Sequence, residues 1–124
     1  MEPTQAGKPR SYRDLIVWQK SLRLAQTVYR LTASFPHEER FGLDSQLRRA
    51  AVSIPSNIAE GQARHTSGDF IQFISNAEGS AAELDTQLTL SIELGMSTAE
   101  QTREIIQLLE EVRRMLNALR RSLR

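Results

Sequence analysis

The sequence predicts an all-α fold, an antiparallel up-down-up-down four-helix bundle over residues 13–124. Three observations predict it. Four segments place apolar residues at the 3.6-residue period of a helix. No segment alternates apolar and polar residues as a half-buried strand does. The breaks between the segments are short and contain Pro, Gly and Ser, which end helices and make successive helices antiparallel neighbours.

Residues 1–12 are predicted to form a flexible tail. They contain Pro3, Gly7 and Pro9 and almost no bulky apolar side chain, so they cannot offset the entropy lost on ordering. The first ten residues contain no apolar run, so we expect no signal peptide. No apolar stretch has the length of a membrane span. Since the chain also has no cysteine, we expect a cytoplasmic protein.

The first helix is predicted to run from about Asp14 to about Ser34, because a residue before proline resists helical geometry. It has two apolar faces, more than a surface helix of an isolated bundle needs. The first face contains Leu15, Trp18, Leu22, Ala25 and Tyr29. The second face must be covered by the rest of the chain or by another subunit. The candidate subunit interface takes four residues of this face and one of the third helix: Val17, Leu24, Val28, Leu31 and Leu90.

The second helix is predicted to begin near Leu43 or Asp44 and to end at Gly61 to His65. Pro55 lies inside it, and its missing N–H and bulky ring predict a kink. A polar stripe crosses the kink at spacings of 4, 3 and 4 and contains Arg49, Ser53, Ser56 and Glu60.

The third helix is predicted to begin at about Ser67, a good N-cap, and to end in a left-handed cap at Gly95. Leu90 points away from its main apolar stripe. That stripe has a seven-residue repeat, as in coiled-coil packing, and contains Phe70, Ile74, Ala77, Ala81, Leu84 and Leu88.

The fourth helix is predicted to open with a capping box in Ser97-Thr98-Ala99-Glu100. Its apolar stripe also has a seven-residue repeat and contains Ile105, Leu109, Val112, Leu116, Leu119 and Leu123. Its arginines are candidate nucleic-acid contacts, namely Arg113, Arg114, Arg120, Arg121 and Arg124. Because four glutamates share the helix, the alternative is a solvated helix with ion pairs along its surface.

Charge is distributed unevenly along a chain whose net charge is only +1. Residues 67–95 carry five acidic and no basic groups, and the other segments together are +6. An acidic third helix among basic helices predicts attraction either inside the molecule or between subunits. The alternative is a set of solvated faces whose ion pairs contribute about 0–1 kcal/mol each.

No catalytic pattern occurs in the sequence. Thiol chemistry needs a cysteine, and His37 and His65 fall near predicted helix ends rather than on core faces. No histidine spacing typical of a zinc protease and no phosphate-binding glycine loop is present. We therefore expect no enzymatic activity, no metal, no cofactor and no small-molecule substrate.

Four separated motifs resemble the bacterial four-helix-bundle proteins named for 23S rRNA intervening sequences. The resemblance covers residues 12–96. The motifs are YRDLIVWQKS (Tyr12 to Ser21), FP…ERFGL (Phe35 to Leu43), QLRRAAVSIPSNIAEG (Gln46 to Gly61) and GSAAELDTQL (Gly79 to Leu88).

The resemblance implies a subunit that assembles as a ring, a pentamer, in a family with no established enzymatic activity. It marks Arg49, Pro55, Asn57 and Glu60 as motif residues that form an assembly or partner-binding site. The structural alternative is a kinked helix in which Arg49 and Glu60 pair with neighbouring helices and Asn57 satisfies backbone groups near the proline.

Two functions follow from this reading. The first is a homo-oligomeric binding or scaffold protein. The second is an RNA- or DNA-binding accessory protein. It resembles in architecture the basic pentameric accessory variability proteins of diversity-generating retroelements. The near-neutral charge and the acidic third helix argue against the second, since phosphate contacts supply most nonspecific affinity.

Overall fold

The computed structural model describes residues 11–38 and 42–124, and these residues form four α-helices and no strand. The predicted all-α class is confirmed, as are the number and order of the helices. Their bounds are Ile16–Thr32 for α1, Leu43–Gln62 for α2, Ser67–Glu93 for α3 and Ala99–Ser122 for α4. No helix of the described residues is both long and apolar enough to cross a membrane.

A 3₁₀ turn, Tyr12–Asp14, precedes α1 and folds back over its first turns. The Ser11 hydroxyl accepts a hydrogen bond from the Arg13 N–H at 3.1 Å. The rings of Tyr12 and Trp18 have centroids 5.2 Å apart, and the Arg13 guanidinium lies over both. Ser11 and Tyr12, which composition assigns to the tail, therefore belong to a folded cap. The remainder of the predicted tail, residues 1–10, lies outside the described residues.

Each helix packs against two others. Within the described residues α1 packs on α2 and α4, α3 packs on α2 and α4, and the diagonal pairs do not meet. Contacts between α3 and α4 join Glu78 to Arg120 and Asp85 to Arg113, so residue numbers rise along one helix as they fall along the other. These two helices are therefore antiparallel neighbours.

The core lies along the centre of the bundle and receives apolar residues from all four helices. The seven-residue stripes predicted in α3 and α4 point into it. Leu84 and Val112 are fully buried, as are most of the stripe positions near them. Phe70, Leu119 and Leu123, at the ends of the stripes, are only partly buried.

The predicted subunit interface is wrong for its four residues on α1. Val17, Leu24, Val28 and Leu31 are buried in the chain's own core. The other apolar face of α1 is the one that reaches the surface. A helix that touches two neighbours buries a wide arc, and sequence periodicity cannot say how that arc is rotated. Leu90 is exposed, as expected.

The link between α3 and α4 differs from the prediction by one residue at the cap. The N-cap of α4 is Thr98, whose capping-box partner is Gln101 rather than Glu100. Ser97 is instead buried and hydrogen-bonded to the Ser91 hydroxyl at 2.7 Å. The N-cap of α3 is likewise Thr66, one residue before the predicted Ser67. Adjacent hydroxyl residues offer the same capping chemistry, and the packing of the connection selects between them.

The left-handed cap at Gly95 is confirmed. Its φ is 77°, which glycine adopts without steric cost. The N–H of Met96 donates to the Ser91 carbonyl at 2.9 Å and the N–H of Gly95 to the Ile92 carbonyl at 3.0 Å. These two bonds satisfy carbonyls left free at the end of α3.

Candidate interaction surfaces

The four motif residues of α2 do not converge on one site. Pro55 is buried inside a helix that continues across it, and the kink expected there stays a prediction. Asn57 is half-buried and its Nδ2 donates to the Ser53 carbonyl at 2.8 Å, as expected of a residue that satisfies the backbone near the proline. Glu60 pairs at 3.0 Å with Arg64, just past the end of α2, rather than with a neighbouring helix.

Arg49 is exposed and makes no hydrogen bond or ion pair within the described part of the chain. It lines one groove toward α1 and a second groove toward α3. Of the four motif residues it is therefore the one free to bind something outside this chain.

Sequence reasoning missed Arg48, which connects α1 to α2. Its Nε donates to the Thr32 hydroxyl at 2.8 Å and lies 3.1 Å from Asp44 Oδ1. Its guanidinium carbon lies 4.5 Å from the centre of the Tyr29 ring. The four-residue spacing of Asp44 and Arg48 is the only local signal for this role. The partners on α1 are not visible in the sequence.

The α1–α2 groove is an open depression of about 540 Å³ at the end of the bundle where α1 ends and α2 begins. Its walls contain both apolar and polar side chains. Tyr29 and Val52 supply apolar surface, and both are more than 40% exposed, at 44% and 42%. Leu22, seven residues before Tyr29, extends the exposed apolar stripe along the same side of α1. The walls of the groove are completed by Asp44, Ser45, Arg48, Arg49 and Ser53.

A second apolar patch projects from the end of α3. Leu90 and Leu94 are 42% and 60% exposed, and Glu93 lies between them in the chain and is also exposed. We call these three residues the α3 tip. Together with Leu22, the α1–α2 groove and the α3 tip account for five of the six exposed large apolar residues among the described residues. The sixth is Ile16, at the first residue of α1.

Two of the acidic residues of α3 form ion pairs with arginines of α4 in the same molecule. Arg120 Nε lies 3.0 Å from Glu78 Oε1, and Arg113 lies 3.5 Å from Asp85. Two of the five candidate nucleic-acid arginines are therefore engaged by carboxylates of the same chain. Both pairs are partly exposed, so each contributes about 0–1 kcal/mol.

Two of the remaining three candidate arginines line one groove. Arg114 and Arg121, with Asn117 between them, line a groove of about 480 Å³ beside Glu78 and Arg113. Neither Arg114 nor Arg121 has an ion pair among the residues that the structure describes. We call this depression the arginine groove. Arg124 is exposed at the last position of the chain.

Within the two described ranges, no group of three or more His, Asp, Glu or Cys residues is placed to hold a metal ion. His37 and His65 are both exposed and lie outside the helices. Neither faces the core, as predicted.

Both a family model and solved structures are similar to this chain. A model of the 23S rRNA-intervening sequence protein family matches residues 13–118. The crystal structure of a protein of unknown function from the S23 ribosomal protein family of Bacteroides thetaiotaomicron VPI-5482 is similar with a TM-score of 0.79 and 28% sequence identity. That similarity covers 86% of this chain and 96% of the other. No curated protein matches significantly.

Proposed function

The chain belongs to the family of 23S rRNA-intervening sequence proteins, and we propose that it is a non-enzymatic scaffold that assembles with copies of itself in the cytoplasm. The observation that carries this proposal is the group of exposed apolar residues formed by Tyr29 and Val52 in the α1–α2 groove and by Leu22, two turns before Tyr29 on the same side of α1. Single exposed apolar residues are ordinary on protein surfaces, whereas grouped ones mark contact sites.

The assembly is proposed to be a ring, and the family resemblance favours a pentamer. The exposed apolar residues of α1–α2 and of α3 form two different patches, not one self-complementary patch. A contact between two different patches is head-to-tail, and such contacts close into a ring when the rotation between subunits permits. Arg49, the one unpaired motif residue, lies at the edge of the groove and is assigned to the contact.

We expect the wild-type protein at tens of micromolar to have a solution mass several times the 14.0 kDa of one subunit. Leu22→Asp should keep the helical signal in circular dichroism but shift the mass toward 14.0 kDa, because it places a charge on the contact stripe. Light scattering after gel filtration measures the mass of the wild type and of the variant.

The matched control is Ile16→Asp. Ile16 is also exposed on α1 but lies off the stripe, and an acid in the first turn suits the helix dipole. Its mass should equal that of the wild type. A wild-type mass of 14.0 kDa at the highest concentration would exclude the proposed assembly.

A second candidate function is nucleic-acid binding, and the arginine groove is the observation that favours it. Arg114 and Arg121 are free of carboxylate partners in the described chain and share one depression. Guanidinium groups bind phosphate in a bidentate manner. The carboxylates of Asp85 and Glu78 offset the positive charges of Arg113 and Arg120, which lowers the net positive charge of this side of the bundle. This function therefore ranks second.

If the arginine groove binds nucleic acid, Arg114→Glu should weaken retention of RNA or duplex DNA in a filter-binding titration. It should also lower the salt slope by about 1, since one phosphate contact is lost. The charge-matched control is Arg103→Glu, an exposed residue of α4 outside the groove. No retention of either nucleic acid by the wild type at low salt would remove this function.

A further inference from the structure

The geometry points to a specific contact between copies: the α3 tip of one copy docks in the α1–α2 groove of the next. This inference rests on the proposed assembly and adds to it the two surfaces that meet. It follows from the shape, position and charge of the only two clustered apolar patches on the described chain.

The two patches cannot cover each other within one molecule. Tyr29 of the groove belongs to α1, and α1 and α3 are diagonal in the bundle and do not pack together. The groove is concave, and Leu90 and Leu94 project from the end of a helix. Two exposed leucines at a helix end can pack against the apolar surface that Tyr29 and Val52 supply to the open groove, so a second copy can bury both at once.

The patches also lie toward the same end of the bundle. Arg48 binds Thr32, which places the end of α1 beside the start of α2. Arg49 and Gln87 line one groove, so the last turns of α3 lie at that same end. The tip begins about one turn beyond Gln87. Both surfaces therefore lie toward one end of the bundle, where adjacent copies of a ring can bring them together.

The charges of the two surfaces are opposite. α3 has no basic residue, and Glu93 is not one of its two carboxylates that pair with α4. Glu93 makes no ion pair among the described residues, and neither does Arg49 at the edge of the groove. Inside the groove, Asp44 is already engaged by Arg48. The unpaired charge is thus positive on the groove and negative on the tip, which favours this pairing and fixes its register.

The test is a charge exchange between Arg49 and Glu93, with solution mass as the readout. Arg49→Glu and Glu93→Arg should each shift the mass toward the 14.0 kDa subunit, and the double variant Arg49→Glu/Glu93→Arg should restore the wild-type mass. Glu93→Arg places a cation near the end of α3, which suits the helix dipole, so its effect on mass is not an effect of unfolding.

The charge-matched control is Glu110→Arg, an exposed residue of α4 outside both surfaces, and its mass should not change. If the wild type assembles but both single variants keep its full mass, or if the double variant stays dissociated, the contact is not tip to groove. The proposed assembly would then still stand. A monomeric wild type would overturn the assembly and the contact together.

Discussion

Leu24→Asp should unfold the chain. Leu24 is fully buried at the centre of α1, so the substitution removes a core side chain and places a carboxylate where no water reaches it. Loss of a buried leucine costs about 2–5 kcal/mol, and burial of an unpaired charge adds several more. Because small domains have about 5–15 kcal/mol of stability in total, we expect most or all of the helical circular dichroism to be lost at 25 °C.

The comparison that gives this result its meaning is Leu22→Asp, two residues earlier on the same helix. Leu22 is 36% exposed, so its replacement should leave the bundle folded. Urea titration followed by circular dichroism measures both variants. A folded Leu24→Asp protein that has only dissociated would show that α1 is rotated in solution, with its second face toward another subunit.

Gly61→Ala should destabilise the bundle although alanine is the better helix former. Gly61 lies in the last turn of α2 against α3, and a Cβ built there would stand 2.6 Å from Phe73 Cβ and 3.0 Å from Phe70 Cδ1. Phe73 Cβ is attached directly to the backbone, so it cannot rotate away. Separating the helices costs about 1–3 kcal/mol, which exceeds the gain of up to about 1 kcal/mol in helix propensity.

Gly79→Ala is the control for this prediction. Gly79 lies in the middle of α3, and a Cβ there would meet nothing within 4 Å. The substitution should raise the free energy of unfolding by about 0.5–1 kcal/mol. Both variants are best measured in the Leu22→Asp background, where self-association does not add to stability. If Gly61→Ala were as stabilising as Gly79→Ala, α2 and α3 would not approach as closely as the structure shows.

The candidate surfaces were only partly predictable. Leu90 departs from a regular apolar stripe, which predicts its exposure, and the structure leaves it exposed. Both faces of α1 have equal apolar character in the sequence, so the pattern does not distinguish the face that is buried from the face that is exposed. The pairing of Glu78 with Arg120 joins residues 42 positions apart, so no local pattern predicts it. The partners of Arg48 on α1, Thr32 and Tyr29, are likewise distant from it in the sequence, so the sequence does not predict these contacts.

The sequence by itself determined the four helices, their order, the core stripes of α3 and α4 and the left-handed end at Gly95. These features depend on a 3.6-residue period and on cap chemistry within a few residues. Only the tertiary structure decided how α1 is rotated, that Ser11 and Tyr12 fold over Trp18, and that Gly61 lies against Phe73. Rotation and register depend on the side chains of several helices packing at once, and that information is not local to any one of them.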